Sequence, residues 1–357
     1  MMSAASLFLL SFVVDVSPEK PEPYQLQYPA YFGERFTIPE DNPMTKGGVY
    51  LGRKLFYEPR LSKGNQFSCA NCHQQQLAFA DATSFSMGID GLTKRNALSL
   101  ANLLWVRNFF WDGRVSSLEA QAVIPMTDPH EMGQPLSVSV EKLKKIPEYA
   151  QLFDCAFGSG EISEDKIVKA IAQFERTLIS AHSPYDQYLQ GTYQPSAQEL
   201  RGMNLFMTSP APDKNSRGAN CGQCHGTPKI YKELFHNNGL DRVSKKDGGR
   251  MDYTGQEIDH GRFRVPTLRN IALTAPYMHD GRFKTLEEVV DHYNEHIQQG
   301  ASLSKVIAEA SNEVGGKSLL LSAGEKKDII AFLHLLTDST FIANPEFADP
   351  GRPAKKH

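Results

Sequence analysis

The chain has 357 residues, 40% of them hydrophobic and 22% charged, with a net charge of −3. That length exceeds what one compact core usually holds, so two domains are expected in an ordinary globular composition. The near-neutral charge supplies no field for a polyanion and excludes nucleic acid as an expected partner.

The apolar run Ala4 to Val14 suits a signal-peptide core and is too short for a bilayer span, which needs about 20 residues. The Pro-rich stretch Pro18 to Pro29 behind it reads as an extended tether, so residues 1–33 are set apart as a signal- or anchor-like segment plus tether. Leu51-Gly-Arg-Lys-Leu-Phe56 reads as a helix that feeds Cys69-Ala-Asn-Cys72-His73. Further on, Ser196-Ala-Gln-Glu199 is a capping box opening the helix that holds Leu200 to Phe206, and that helix feeds Cys221-Gly-Gln-Cys224-His225.

C-x-x-C-H is the attachment pattern of c-type haem. Two thiols at that spacing add to the two vinyl groups of one haem, and the adjacent histidine falls under the ring to ligate iron. Two copies, each with its own histidine and no further cysteine pair, argue against zinc or a disulfide framework. Cys155 is left over and reads as a buried small hydrophobe. The expected fold is all-α: two tandem cytochrome c-like domains, each with one covalently bound haem c, over residues 34–188 and 189–337.

A nine-residue frame also occurs twice, as Trp111-Asp-Gly-Arg-Val-Ser-Ser-Leu-Glu119 and His279-Asp-Gly-Arg-Phe-Lys-Thr-Leu-Glu287, once after each haem motif. Ser or Thr with an acid three positions on makes each Asp-Gly-Arg turn the start of a helix. In the second copy Leu286, Val289, Val290, Tyr293 and Ile297 share one face, so Tyr293 points inward. Equivalent counting reaches Pro125 in the first copy. A tyrosine can ligate iron through its phenolate and a proline has no donor, so one haem would be capped and the other open. A core tyrosine with its hydroxyl bonded is the alternative, and Met278, Met251, His279 and His292 compete as ligands.

Leu61-Ser62, Ala78-Phe-Ala-Asp81, Phe110-Trp-Asp-Gly-Arg114, Pro125 with Glu131-Met132, Val265-Pro-Thr-Leu-Arg-Asn270 and Pro276-Tyr-Met-His-Asp-Gly281 stand in order around the two haem motifs. In these the chain resembles the bacterial di-haem cytochrome c peroxidase family, including its MauG-like branch, over roughly Gly48 to Thr337. The resemblance implies His73 and His225 as proximal ligands and Trp111 as the indole between the haems. It implies Glu131 as the distal acid of a peroxide site, with Gln121 beside it, and Tyr293 where the family places methionine or, in the MauG-like branch, tyrosine. It also implies a calcium ion near Asn96, Thr274 and Pro276, the last two through backbone carbonyls. Helix capping is the alternative for Glu131, and plain packing for Trp111.

Relatives lead further to hydrogen peroxide as substrate, a periplasmic location and a homodimer. They also lead to a small electron donor, a cytochrome c or cupredoxin, and to residues 338–357 folding back on the first domain. Two departures matter. The loop Ser86 to Gly91 lacks the histidine that caps the first haem in classical members, so that haem is expected open at rest. MauG itself has a tryptophan two residues before its second haem motif, where this chain has Ala219. A peroxidase is thus the expected function, with a peroxide-dependent oxidase of a protein side chain and a non-catalytic electron-transfer protein as alternatives.

Overall fold

The computed structural model describes residues 21–226, 228–242 and 246–351. The apolar run Ala4 to Val14 and the C-terminal residues 352–357 lie outside the described residues.

The first half is built on a helix crossing. Helix α1 (Lys46–Phe56) starts where the Thr45 hydroxyl accepts the Gly48 N–H, and it buries Leu51, Leu55 and Phe56. The short α2 (Cys69–Cys72) carries the first pair of thiols. Helices α3 (Leu118–Thr127), α4 (Leu136–Lys144), α5 (Pro147–Phe157) and α6 (Glu164–Arg176) follow. α1 lies against α6 so closely that a Cβ on Gly52 would stand 1.8 Å from the Ala170 carbonyl oxygen. Their apolar faces, with Tyr149 and Phe153 of α5, close one core.

The second half repeats the plan. α7 (Pro184–Leu189) spans the handover read from sequence after residue 188, and its Tyr185 packs on Phe332 with ring centroids 5.6 Å apart. α8 (Ala197–Met207) opens on the Ser196–Glu199 capping box and crosses α12, where a Cβ on Gly202 would stand 1.8 Å from the Asp328 carbonyl oxygen. Between them come α9 (Met251–Thr254), α10 (Leu286–Asp291), which runs into a π-helical turn His292–His296, and α11 (Lys305–Ala308). α12 spans Ala323–His334. The last helix, α13 (Ser339–Ala343), lies against the first half, where Phe341 and Phe347 pack on Phe79. Among the described residues, sheet is confined to two short antiparallel pairs, Met87–Gly88 with Gly91–Leu92 and Phe235–His236 with Phe263–Arg264.

The described part of the Pro-rich stretch is extended but docked. Pro23 bridges Thr45, and Phe32 is buried against Trp105, whose indole N–H donates to the Gly33 carbonyl at 2.9 Å. Cys155 is exposed, against the expectation of a buried hydrophobe. α5 turns Tyr149, Phe153 and Ala156 inward, and that leaves position 155 on its solvent face.

Candidate functional site

The first site starts at Ser68, whose hydroxyl and Asn71 form a capping box that launches α2 and sets Cys69 and Cys72 one turn apart. His73 follows as the helix ends. Its ring Nδ1 donates to the Phe79 carbonyl at 2.9 Å, across a turn in which Ala78 and Phe79 both adopt positive φ. A histidine tied in this way through Nδ1 keeps Nε2 for a metal, the usual arrangement of a ligating imidazole. Burial pushes its pKa down, with the Phe79 carbonyl pulling the other way, so the ring is neutral and able to ligate.

Cys69, Cys72 and His73 share one cavity with Gln121, Pro125 and Glu131. α3 and its exit turn bring the last three there. Pro125 has no N–H for the Gln121 carbonyl one turn back, so the helix closes soon after it. The chain then turns back, with the Met132 N–H donating to the Pro125 carbonyl at 3.0 Å. It is Asp128, not Glu131, whose carboxylate holds this turn, accepting from the His130 N–H at 2.8 Å. The Glu131 carboxyl is pushed up to about 7 by burial first and by Asp128 second, while Arg114 pulls it down. The histidine-free hairpin docks on the same turn, with the Ile89 N–H donating to the Glu131 carbonyl at 2.8 Å.

Glu175 on α6 also lines this cavity and was not singled out from sequence. It is 5% exposed and its Oε2 has no hydrogen-bond partner. Burial raises it to about 8, opposed by Arg176 and reinforced by Glu119. The signal available was a break in pattern: Ile167 and Ile171 set an inward stripe, and the next residue of that stripe is an acid.

The second site gathers Cys221, Cys224 and His225 around a larger cavity that Tyr293, Met278 and His279 also line. Burial pushes His225 down to about 4, opposed by the Pro266 carbonyl. Tyr293 sits in the π-helical turn, a distortion frequent at functional sites. The Asn238 amide donates to its hydroxyl at 3.1 Å and reaches the Met278 sulfur at 3.5 Å. Burial pushes the Tyr293 hydroxyl up to about 12, with the Asn238 amide pulling it down. Among the competing ligands, His292 Nε2 donates to the Asn238 carbonyl at 3.0 Å, and the His279 ring stacks on Phe263 at 3.7 Å. Met251 on α9 is not among the residues lining the cavity.

Between the halves the two frames face each other. Each forms the same short loop, closed by the bridges Phe109–Val115 and Tyr277–Phe283, with Gly113 and Gly281 at positive φ. The Trp111 carbonyl accepts the Arg264 N–H at 2.7 Å and the His279 carbonyl accepts the Asn96 N–H at 2.8 Å. Arg264 is offset from Asn96 as His279 is from Trp111, so the contact is an approximate two-fold exchange. The Trp111 indole N–H donates to the Asn96 carbonyl at 2.8 Å, and its ring lies 6.4 Å from that of His279. Asn96, Thr274 and Pro276 all line the second cavity. The described residues hold no cluster of three or more His, Cys, Asp or Glu arranged for a metal ion.

The donor set fits two covalently held haems. All four motif cysteines are free thiols at cavity walls, burial raises each of them, and each pair is followed by a neutral histidine whose pKa burial pushes down.

Comparison with known proteins agrees. The family described as di-haem cytochrome c peroxidase matches residues 46–194. The chain is 37% identical over 303 residues to the methylamine utilization protein MauG of Methylorubrum extorquens, covering 84% of this chain and 80% of that one. It is 38% identical over 246 residues to the cytochrome c551 peroxidase of Nitrosomonas europaea, covering 68% and 71%. The crystal structure of a MauG-like protein associated with microbial copper homeostasis superposes with a TM-score of 0.81 at 37% identity, covering 92% of this chain and all of that one. The diheme peroxidase BthA of Burkholderia thailandensis shares the fold, with a TM-score of 0.69 at 21% identity over 89% and 94% of the two chains. With two cytochrome c-like domains, two C-x-x-C-H sites and these relatives, the chain belongs to the di-haem cytochrome c peroxidase family.

Proposed function

We propose that the protein reduces hydrogen peroxide to water at the first site, with electrons passed through the second site from a small redox protein in the periplasm. The observation that carries this reading is the convergence of Glu131, Gln121 and Pro125 on the cavity of Cys69, Cys72 and His73. A pure electron relay has no use for a carboxyl facing a ligand position without a donor.

The overall change is H2O2 + 2 e− + 2 H+ → 2 H2O. Haem iron held by His73 supplies the redox chemistry of O–O cleavage when bound. The rest falls to the chain. Heterolysis of the O–O bond needs a proton moved from one peroxide oxygen to the other, so that the departing oxygen leaves as water. Glu131, with its pKa near 7, takes the first proton as carboxylate and returns it as acid at neutral pH. Gln121 orients the peroxide by its amide. Trp111, buried between the halves with its N–H bonded to a carbonyl that cannot accept the proton, offers an indole path for electrons. A calcium ion at the Asn96 side chain and the Thr274 and Pro276 carbonyls belongs to the same reading and would hold the two halves in register.

Tyr293 supports a second reading. If its phenolate ligates the second haem, that centre favours ferric and higher states and suits storage of oxidising equivalents. The protein would then oxidise a side chain of a protein substrate, as a MauG-like enzyme. One experiment separates the two: one equivalent of hydrogen peroxide added to the fully oxidised protein, followed in the visible and near-infrared. A prompt change without prior reduction favours shared oxidation of both haems and the second reading. A response only after an electron is supplied favours the gated peroxidase.

A further inference from the structure

Tyr293 and Met278 are among the residues lining the second cavity that carry a donor atom for iron, and one residue touches both. Asn238 Nδ2 lies 3.1 Å from the Tyr293 hydroxyl and 3.5 Å from the Met278 sulfur. Its position is fixed by its own backbone. The His292 ring donates through Nε2 to the Asn238 carbonyl at 3.0 Å, and His292 is the residue before Tyr293. The neighbouring turn is held as well: the Asn237 side chain accepts from the Gly239 N–H at 2.9 Å, and the Gln298 N–H donates to the Gly239 carbonyl at 2.8 Å. The π-helical turn that carries Tyr293 is therefore latched to residue 238 twice, once by backbone and once by side chain.

An amide N–H does different things for the two candidates. A phenolate oxygen is a charged acceptor, and the bond to it is charge-assisted and about twice as strong as a neutral one. A thioether sulfur is a weak acceptor and gains little at this distance. One donor placed between the two groups thus favours the oxygen. We propose that Asn238 is the positioning residue that selects Tyr293 over Met278 as the protein group facing the iron of the second haem. This rests on the reading that Tyr293 ligates that iron.

The test uses the di-haem holoprotein and reads the ferric absorption spectrum and reduction potential of the second haem, with haem content and circular dichroism as checks of folding. Tyr293→Phe is measured first, and a change in both readouts is expected. Asn238→Asp keeps the shape, removes the donor and sets a carboxylate against the phenolate. Asn238→Leu removes the donor without charge. Both are expected to raise the potential and replace the phenolate-type spectrum by a thioether type, since methionine ligation raises a haem's potential. In Asn238→Asp combined with Met278→Leu the thioether-type spectrum should be lost. Wild-type spectrum and potential in both Asn238 variants, while Tyr293→Phe shifts them, would overturn the role of Asn238 alone. Unchanged readouts in Tyr293→Phe would remove the ligand reading and the selection role with it.

Discussion

Glu131 owes its proposed chemistry to its surroundings rather than to its type. Half-buried and beside Asp128, it has a pKa near 7, so its carboxylate form is lost as the pH falls through neutrality. The second-order rate of reaction with peroxide should therefore fall below about pH 7, and Glu131→Gln should flatten that limb while lowering the rate by about 10²-fold or more. Stopped-flow traces across pH 5–9 measure both. Glu175 gives a stability prediction. Its folded pKa of about 8 lies above its ordinary 4.5, so the stability it contributes is complete below about pH 4.5 and is lost as the pH rises through 8. Glu175→Gln cannot ionise, so its melting temperature relative to wild type should climb steadily from pH 5 to pH 8 in calorimetry. The haem cysteines, by contrast, were legible from spacing alone, because their chemistry is covalent and needs only two thiols and a histidine in sequence.

At the scale of elements, the repeated frame shows why the same nine residues serve twice. Each Asp-Gly-Arg loop reaches into the other half. A Cβ on Gly113 would stand 2.3 Å from the Phe235 ring, and one on Gly281 2.5 Å from the Ser84 Cα. The Ser84 hydroxyl donates to the Gly281 carbonyl at 2.8 Å. Both glycines also sit at positive φ, where a side chain costs about 1 kcal/mol before any clash. Gly281→Ala should lower stability by about 1–3 kcal/mol in denaturant titration, and by more than Ala at Gly191, whose Cβ would meet nothing within 4 Å. A Ser or Thr with an acid three positions on predicted the helix after each frame; the second begins on the expected Thr285, while the first begins on Ser117, one residue beyond the Ser116 that pairs with Glu119 in that pattern. Sequence periodicity did not predict the π-helical turn at Tyr293, since one extra residue in a turn leaves the inward face of the preceding helix intact.

At the scale of the whole molecule, distant parts of the chain are joined by contacts that no local pattern announces. Arg269 and Asp186 form a two-point ion pair, both fully buried, with Nη1–Oδ2 at 2.6 Å and Nη2–Oδ1 at 2.8 Å, and the Tyr31 hydroxyl donates to Asp186 at 3.0 Å. Removing one partner strands a buried charge, so Asp186→Asn should cost about 3–5 kcal/mol. The return of α13 to the first half makes Phe341 a core residue at 2% exposure, and Phe341→Ala should cost about 3–5 kcal/mol although it lies far along the chain from that core. Chemical denaturation followed by the Soret band of the first haem would read both losses.

The sequence by itself determined the covalent chemistry and the plan. Two C-x-x-C-H motifs, two feeding helices and two capped frames specify two cytochrome c-like domains, because each signal acts over a turn or two of chain. Tertiary structure alone decided what those signals surround. Gln121, Pro125, Glu131 and Glu175 line the cavity of Cys69, Cys72 and His73 because α3 and α6 pack together, and Asn238 reaches Tyr293 because a turn 55 residues upstream is latched to it. Such contacts depend on the directions in which distant elements cross, and the spacing of residues along one element carries no record of that.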